Sequence, residues 1–312
     1  MNNRTAHLGL GWGPAALLAN GILLYVVLAW LARSAANPFD RTLLLAGGNL
    51  VLASWLFAPP VRSGRLLLNR KTTAALLGWS TAYSLTYGSF ACLPDLIPVW
   101  GLVAAQACAP LVAVFVSGDH RRDTGSFVGR ISLLSPIVFL LGIAFLEWRS
   151  SPHVLIEPFI ALALVSLFAF SQSCARIVAR NAPNPFWAPP RLAFMNGIIL
   201  LVFWALAGRG AVRGDGFVLG RNVLLLSLGI FVVQALYLFA LAKTPPFLSA
   251  LLLSAVVPIS IFGDSILKTG PSHSRLSLWL SVGFSLTTGF VSWITSNKAK
   301  VEMNISLPLE AK

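Results

Sequence analysis

Charged side chains are few: Asp, Glu, Lys and Arg make up 11% of the 312 residues, where a water-soluble chain carries about 25%. So little charge cannot cover a water-facing surface of ordinary size. Cysteine is scarcer still. Cys92, Cys108 and Cys174 each lie inside an apolar run, at no paired or metal-ligand spacing, so a disulfide scaffold and a zinc module are both excluded. The four histidines fall in flanks or connections, and no H-E-x-x-H, G-x-S-x-G or Walker A sequence occurs. With those go the usual signatures of a metalloprotease, a serine hydrolase and an ATP-driven motor. The chain is therefore read as a non-enzyme that needs no cofactor and no metal.

What fills the space is apolar: 56% of the residues are hydrophobic and mean hydropathy is +0.78. Runs of about 20 apolar residues, enough to cross a hydrocarbon core of roughly 30 Å, fall at 13–32, 42–58, 73–93, 97–117, 127–147, 154–175, 191–208, 218–241, 246–267 and 276–296. The expectation is an all-α integral membrane protein of ten transmembrane helices. Residues 1–150 and 151–297 hold five spans each, and 298–312 form a tail.

The net charge of +13 would suggest nucleic acid in a soluble protein, but here the basic residues sit mostly between apolar runs, where they orient the chain and meet anionic headgroups. Most of the 23 Lys and Arg residues fall in the segments on the N-terminal side of the membrane, among them Arg62, Arg65, Arg70, Lys71, Arg121, Arg122, Arg176 and Arg180. Both termini are thus expected in the cytoplasm, with the first helix retained. The sequon at Asn304 is expected to stay unmodified there.

One stretch organises the rest. From Leu241 to Ile266 the chain reads LAKTPPFLSALLLSAVVPISIFGDSI, with Pro258 near its centre. A proline inside a helix leaves the carbonyl four residues earlier without its N–H partner, and that carbonyl belongs to Ser254. A second copy, PVWGLVAAQACAPLVAVFVSGD, places Pro110 after Gln106 in the same way, and Pro98 to Pro246, Gln106 to Ser254 and Pro110 to Pro258 share one offset of 148 residues. The chain reads as a duplication. Five spans per half is an odd number, so the halves enter the membrane in opposite senses, as two inverted five-helix repeats with two kinked helices meeting near the midplane.

These residues resemble the drug/metabolite transporter superfamily, of the ten-helix, EamA-like kind. The segment from Ala240 to Pro258, ALAKTPPFLSALLLSAVVP, is similar to its A-L-x-x-T-x-x-S-x-A-x-L-L-x-x-x-x-P signature. In the first half Gly101 to Pro110 keeps the small residues and the proline, while Asp95 stands where the second copy has Lys243. Pro258-Ile-Ser-Ile-Phe-Gly-Asp264 looks like the P-x-S-x-x-x-D run of the nucleotide-sugar branch, and ARIVAR at 175–180 resembles the superfamily's basic connector. The resemblance implies a secondary carrier.

Polar side chains inside spans are the candidate binding residues. Trp79, Tyr83 and Tyr87 recur at i, i+4 and i+8, Gln234 and Tyr237 are three apart, and each set shares one helical face. With Gln106 and Ser254 they are the residues expected to touch substrate; packing or interfacial anchoring is their alternative use. Pro110 and Pro258 are the kinks. Asp264, about 9 Å along the axis from Pro258, is the candidate gate or coupling residue, expected near the external interface.

The function expected is secondary transport, as an exporter of a small organic metabolite such as an amino acid, by alternating access. The alternatives are a nucleotide-sugar-like exchanger and a non-transporting membrane scaffold. The expected partners are the solute and membrane lipids, with a homodimer admissible and nucleic acid excluded. The location expected is a bacterial inner membrane.

Overall fold

The computed structural model describes residues 4–34, 37–57, 70–93, 97–117, 157–181, 186–207, 216–244, 249, 252–267, 276–288 and 290. Among these the chain is helical throughout, without a strand. The helices are α1 (Arg4–Ser34), α2 (Pro38–Ala53, running into a 3-10 turn at Ser54–Phe57), α3 (Arg70–Cys92), α4 (Val99–Ser117), α5 (Glu157–Asn181), α6 (Ala188–Ala207), α7 (Gly216–Lys243), α8 (Val256–Leu267) and α9 (Leu276–Thr288). The span expected at 127–147 and the tail at 298–312 lie outside the described residues.

Among the described residues, four helices are long and apolar enough to cross a membrane: Trp12–Ser34 of α1, Phe159–Asn181 of α5, Ala188–Ala205 of α6 and Val218–Lys243 of α7, with mean hydropathies of 2.1, 1.6, 1.4 and 2.4. This makes the chain a membrane protein. At 23 residues α3 is equally long, but Ser, Thr and Tyr occupy much of it and lower its apolarity. Large apolar side chains face outward all round the bundle, for example Val26, Leu77, Phe159, Val202, Leu224 and Trp279. Lipid is the solvent that accepts such a surface.

Local chemistry sets the helix ends. Asn37 caps α2: its Oδ1 accepts the Asp40 amide at 2.7 Å, Pro38 opens the first turn, and Asp40 lies where the helix dipole favours a negative charge. The carbonyls at the far end of α1 are met from α2, where Arg41 donates Nη2 to the Ala32 oxygen at 2.9 Å. Helix α1 begins at Arg4, well before the expected residue 13, and runs through Pro14.

The most extensive helix contacts pair α2 with α6, α1 with α7, and α3 with α5; α4 lies on α5 and α8, α2 on α7, and α3 on α6. Exchanging α1–α4 with α5–α8 turns α1·α7 into α5·α3, α2·α7 into α6·α3, and α1·α8 into α5·α4, while α2·α6 and α4·α8 map onto themselves. All of these contacts are present.

Glycine lets the closest helices touch. A methyl group at Gly197 of α6 would lie 2.7 Å from Leu50 Cδ2 of α2, and one at Gly21 of α1 the same distance from Val256 Cγ2 of α8. Within a membrane, where burying apolar surface gives no drive to association, such close packing is a principal source of helix adhesion. The small residues Ala104, Ala105, Ala107 and Cys108 of α4 are buried in the same way.

Candidate functional site: an aromatic and amide-lined cavity at mid-depth

Helix α3 carries an aromatic face. Tyr83 and Tyr87 stand one turn apart with ring centroids at 4.3 Å, and Trp79 one turn earlier reaches Tyr237 of α7 at 6.3 Å. Phe168 of α5 meets Tyr87 edge-on at 6.2 Å and 89°. These rings border a cavity with about 420 Å³ of empty space, part of it continuous with the outside.

The remaining walls are neutral and polar. Gln106 of α4, Gln234 of α7, Asn20 of α1 and Ser171 of α5 line the same cavity, together with Thr86, Leu24 and Val233. None of the described lining side chains carries a charge. Asn20 is fixed by donating Nδ2 to the Val233 carbonyl at 2.6 Å, and Thr86 bonds back to the Ala82 carbonyl at 2.8 Å. Gln234 is 3% exposed and lies beside the Tyr83 hydroxyl, yet neither of its amide atoms makes a hydrogen bond of good geometry. The Asn20 Oδ1 is likewise unpaired.

The depth follows from helix rise. Tyr83 lies 13 residues into α3, about 20 Å at 1.5 Å per residue, and Gln234 is nine residues, about 13 Å, from the end of α7. The cavity sits near the middle of its helices.

Of the residues singled out in the sequence, Trp79, Tyr83, Tyr87, Gln106, Gln234 and Tyr237 line this one cavity. Pro110 is buried one turn beyond Gln106 inside α4. Ser254 does not join them. It is fully buried, and the carbonyl that Pro258 deprives of its helical partner accepts a hydrogen bond from Ser285 Oγ of α9 at 2.7 Å. Packing against α9 thus meets the need that had pointed to a ligand. The helical path turns at Ala255, three residues before Pro258, and α8 begins at Val256.

Asp264 is buried: it is 1% exposed and accepts a hydrogen bond from Tyr25 of α1 at 3.1 Å. The preceding Gly263 has no side chain, and the Tyr25 ring occupies the place where a Cβ would stand. Asp264 is not among the residues lining the cavity.

Asn20, Leu24, Thr86, Phe168, Ser171 and Val233 complete the described lining without having been singled out. Asn20 and Ser171 are polar residues in apolar helices, a signal that could have found them. Phe168 is one of 20 phenylalanines and carries no such signal. Arg176, read as part of a basic connector, instead lies within α5, where it donates to the Thr244 carbonyl and to Ser249 Oγ at 3.2 Å each. It thereby supplies positive charge and donors at the carboxyl end of α7.

No family model and no curated protein matches the sequence. A solved structure, described only as a protein crystal structure, superposes with a TM-score of 0.61 at 15% identity, over 93% of this chain and 98% of that one. The two share a fold.

Proposed function

We propose that the chain is a secondary carrier of a small organic metabolite, working as an exporter by alternating access between two inverted five-helix repeats. The observation that carries this reading is the mid-depth cavity, whose walls come from α1 and α3 of one half and α5 and α7 of the other, with Gln106 on α4, which holds Pro110. In inverted-repeat carriers the substrate site lies at that place, between the repeats and against interrupted helices.

Two further observations support it. The pairings α1·α7, α2·α7 and α1·α8 have counterparts in α3·α5, α3·α6 and α4·α5 when α1–α4 are exchanged for α5–α8, as a duplication predicts, and the proline-bearing segments share the 148-residue offset. The full topology proposed is ten spans, with both termini cytoplasmic in a bacterial inner membrane. The absence of charge from the described cavity lining disfavours the nucleotide-sugar alternative, because a buried diphosphate needs compensating cations.

The test is saturable uptake by proteoliposomes containing the purified chain, across a panel of neutral, zwitterionic and aromatic metabolites and nucleotide sugars. Uptake of a neutral or zwitterionic solute above that of protein-free liposomes is the expected result. Nucleotide-sugar exchange alone would favour the alternative, and no saturable flux with any of them would leave a non-transporting scaffold.

A further inference from the structure

Gln234 is the least satisfied polar group on the cavity wall. It is 3% exposed, and both Oε1 and Nε2 lack a hydrogen-bond partner of good geometry. Leaving a buried amide unpaired costs about 1–3 kcal/mol, a cost that a ligand can remove on binding. A primary amide offers one acceptor beside one donor, and the complementary edge has an N–H adjacent to a carbonyl or ring nitrogen. Asn20, which lines the same cavity with Nδ2 held by the Val233 carbonyl, keeps a buried Oδ1 acceptor without a partner. A second N–H on the ligand would answer it.

The rest of the wall limits the ligand further. The rings of Trp79, Tyr83, Tyr87, Phe168 and Tyr237 present π-faces and edges rather than aliphatic bulk, with Tyr83 and Tyr87 4.3 Å apart. Planar ligands gain most from such walls, through offset stacking and edge contacts. No described lining side chain is charged, so a charged ligand would lose its hydration without an ionic partner among them.

We propose that this cavity binds an uncharged, planar heteroaromatic compound, and that Gln234 reads an edge carrying an adjacent donor and acceptor. This rests on the carrier reading for its biological role but not for its chemistry.

The test is calorimetric titration of the full-length protein in nanodiscs with two probe pairs: 9-methyladenine against N6,N6,9-trimethyladenine, and 2-quinolinone against 1-methyl-2-quinolinone. Each pair keeps the ring and removes the donor. The unmethylated member should bind at least about tenfold more tightly, as expected when an amide meets a matched edge bidentately. Gln234→Leu should bring the two members of each pair to within about twofold of each other. Its thermal unfolding should not fall, because an apolar side chain of similar size replaces a buried amide that lacks well-aligned partners. Equal binding within a pair by the wild type, no binding by either unmethylated probe, or discrimination that survives Gln234→Leu would each overturn the proposal. Probe binding without flux in proteoliposomes would refute the carrier and leave the edge-reading site standing. Saturable flux of a solute with no such edge, indifferent to Gln234→Leu, would do the reverse.

Discussion

Asn49 of α2 and Asn196 of α6 are both fully buried, and Asn196 Nδ2 donates to Asn49 Oδ1 at 3.5 Å across 147 residues of chain. That separation is within one residue of the offset between the two proline kinks. The helices that carry the pair exchange places when the two halves are swapped. Under the proposed duplication the bond would join near-equivalent positions, close to a pseudo-twofold axis.

The pair belongs to a small polar network. Ser80 and Ser84 of α3 donate to Asn196 Oδ1 at 2.6 and 3.3 Å, while Asn49 donates to the Leu45 carbonyl at 2.8 Å. Asn196→Ala removes the hub and leaves two hydroxyls without that acceptor. It should lower unfolding stability by about 1–2 kcal/mol. Asn49→Ala, which gives up only the longer interhelical bond and a local one, should cost less. Thermal unfolding in nanodiscs checks the order, and equal losses would remove Asn196 from the centre of the network.

Gly197 and Leu50 should couple in a double-mutant cycle. Gly197→Ala places a methyl group 2.7 Å from Leu50 Cδ2, which the close α2·α6 contact can absorb only by shifting. The predicted loss is about 1–3 kcal/mol, with at least about half of it recovered in a Leu50→Ala background. Additive losses would mean that the helices do not approach as closely as described.

Gln106→Ala should reduce flux about tenfold or more while expression and membrane insertion persist, since Gln106 lines the cavity. Ser254→Ala should leave flux near wild type, because Ser254 is fully buried away from the cavity lining and the substitution keeps its backbone carbonyl, which is bonded to Ser285. Ser285→Ala is the variant expected to destabilise, by about 1 kcal/mol. A flux loss in Ser254→Ala equal to that in Gln106→Ala would return Ser254 to the binding site.

Asp264→Asn keeps an acceptor for the Tyr25 hydroxyl, so the protein should fold and unfold as wild type does. A carboxylate buried within a transmembrane helix is costly and commonly functional. The prediction is that uptake driven by a pH gradient falls about tenfold or more in Asp264→Asn, while exchange without a gradient continues. Gradient-driven uptake unaffected by the change would make Asp264 a structural link between α1 and α8.

Much of the cavity could be read in the sequence because its signals are local. Trp79, Tyr83 and Tyr87 share a face through helical spacing alone, as do Gln234 and Tyr237, and a polar side chain stands out in an apolar run. The positions of Ser254 and Asp264 depended on partners far along the chain, Ser285 on α9 and Tyr25 on α1. No spacing within α8 announces those contacts. Gly263 carries a partial signal, because a small residue beside a carboxylate invites a close neighbour, but the identity of that neighbour is a tertiary fact. The helices themselves follow from apolar length, with α3 the instructive case: its Ser, Thr and Tyr content lowers its hydropathy for the same reason that it lines the cavity.

The most direct test of a mid-membrane site that alternates is labelling of a single cysteine at Tyr83→Cys, after replacing Cys92, Cys108 and Cys174. A membrane-impermeant thiol reagent is applied in turn to each face of oriented vesicles. A carrier predicts modification from both sides, slowed by a transported solute. Modification from one side only, or from neither, would contradict alternating access to this cavity.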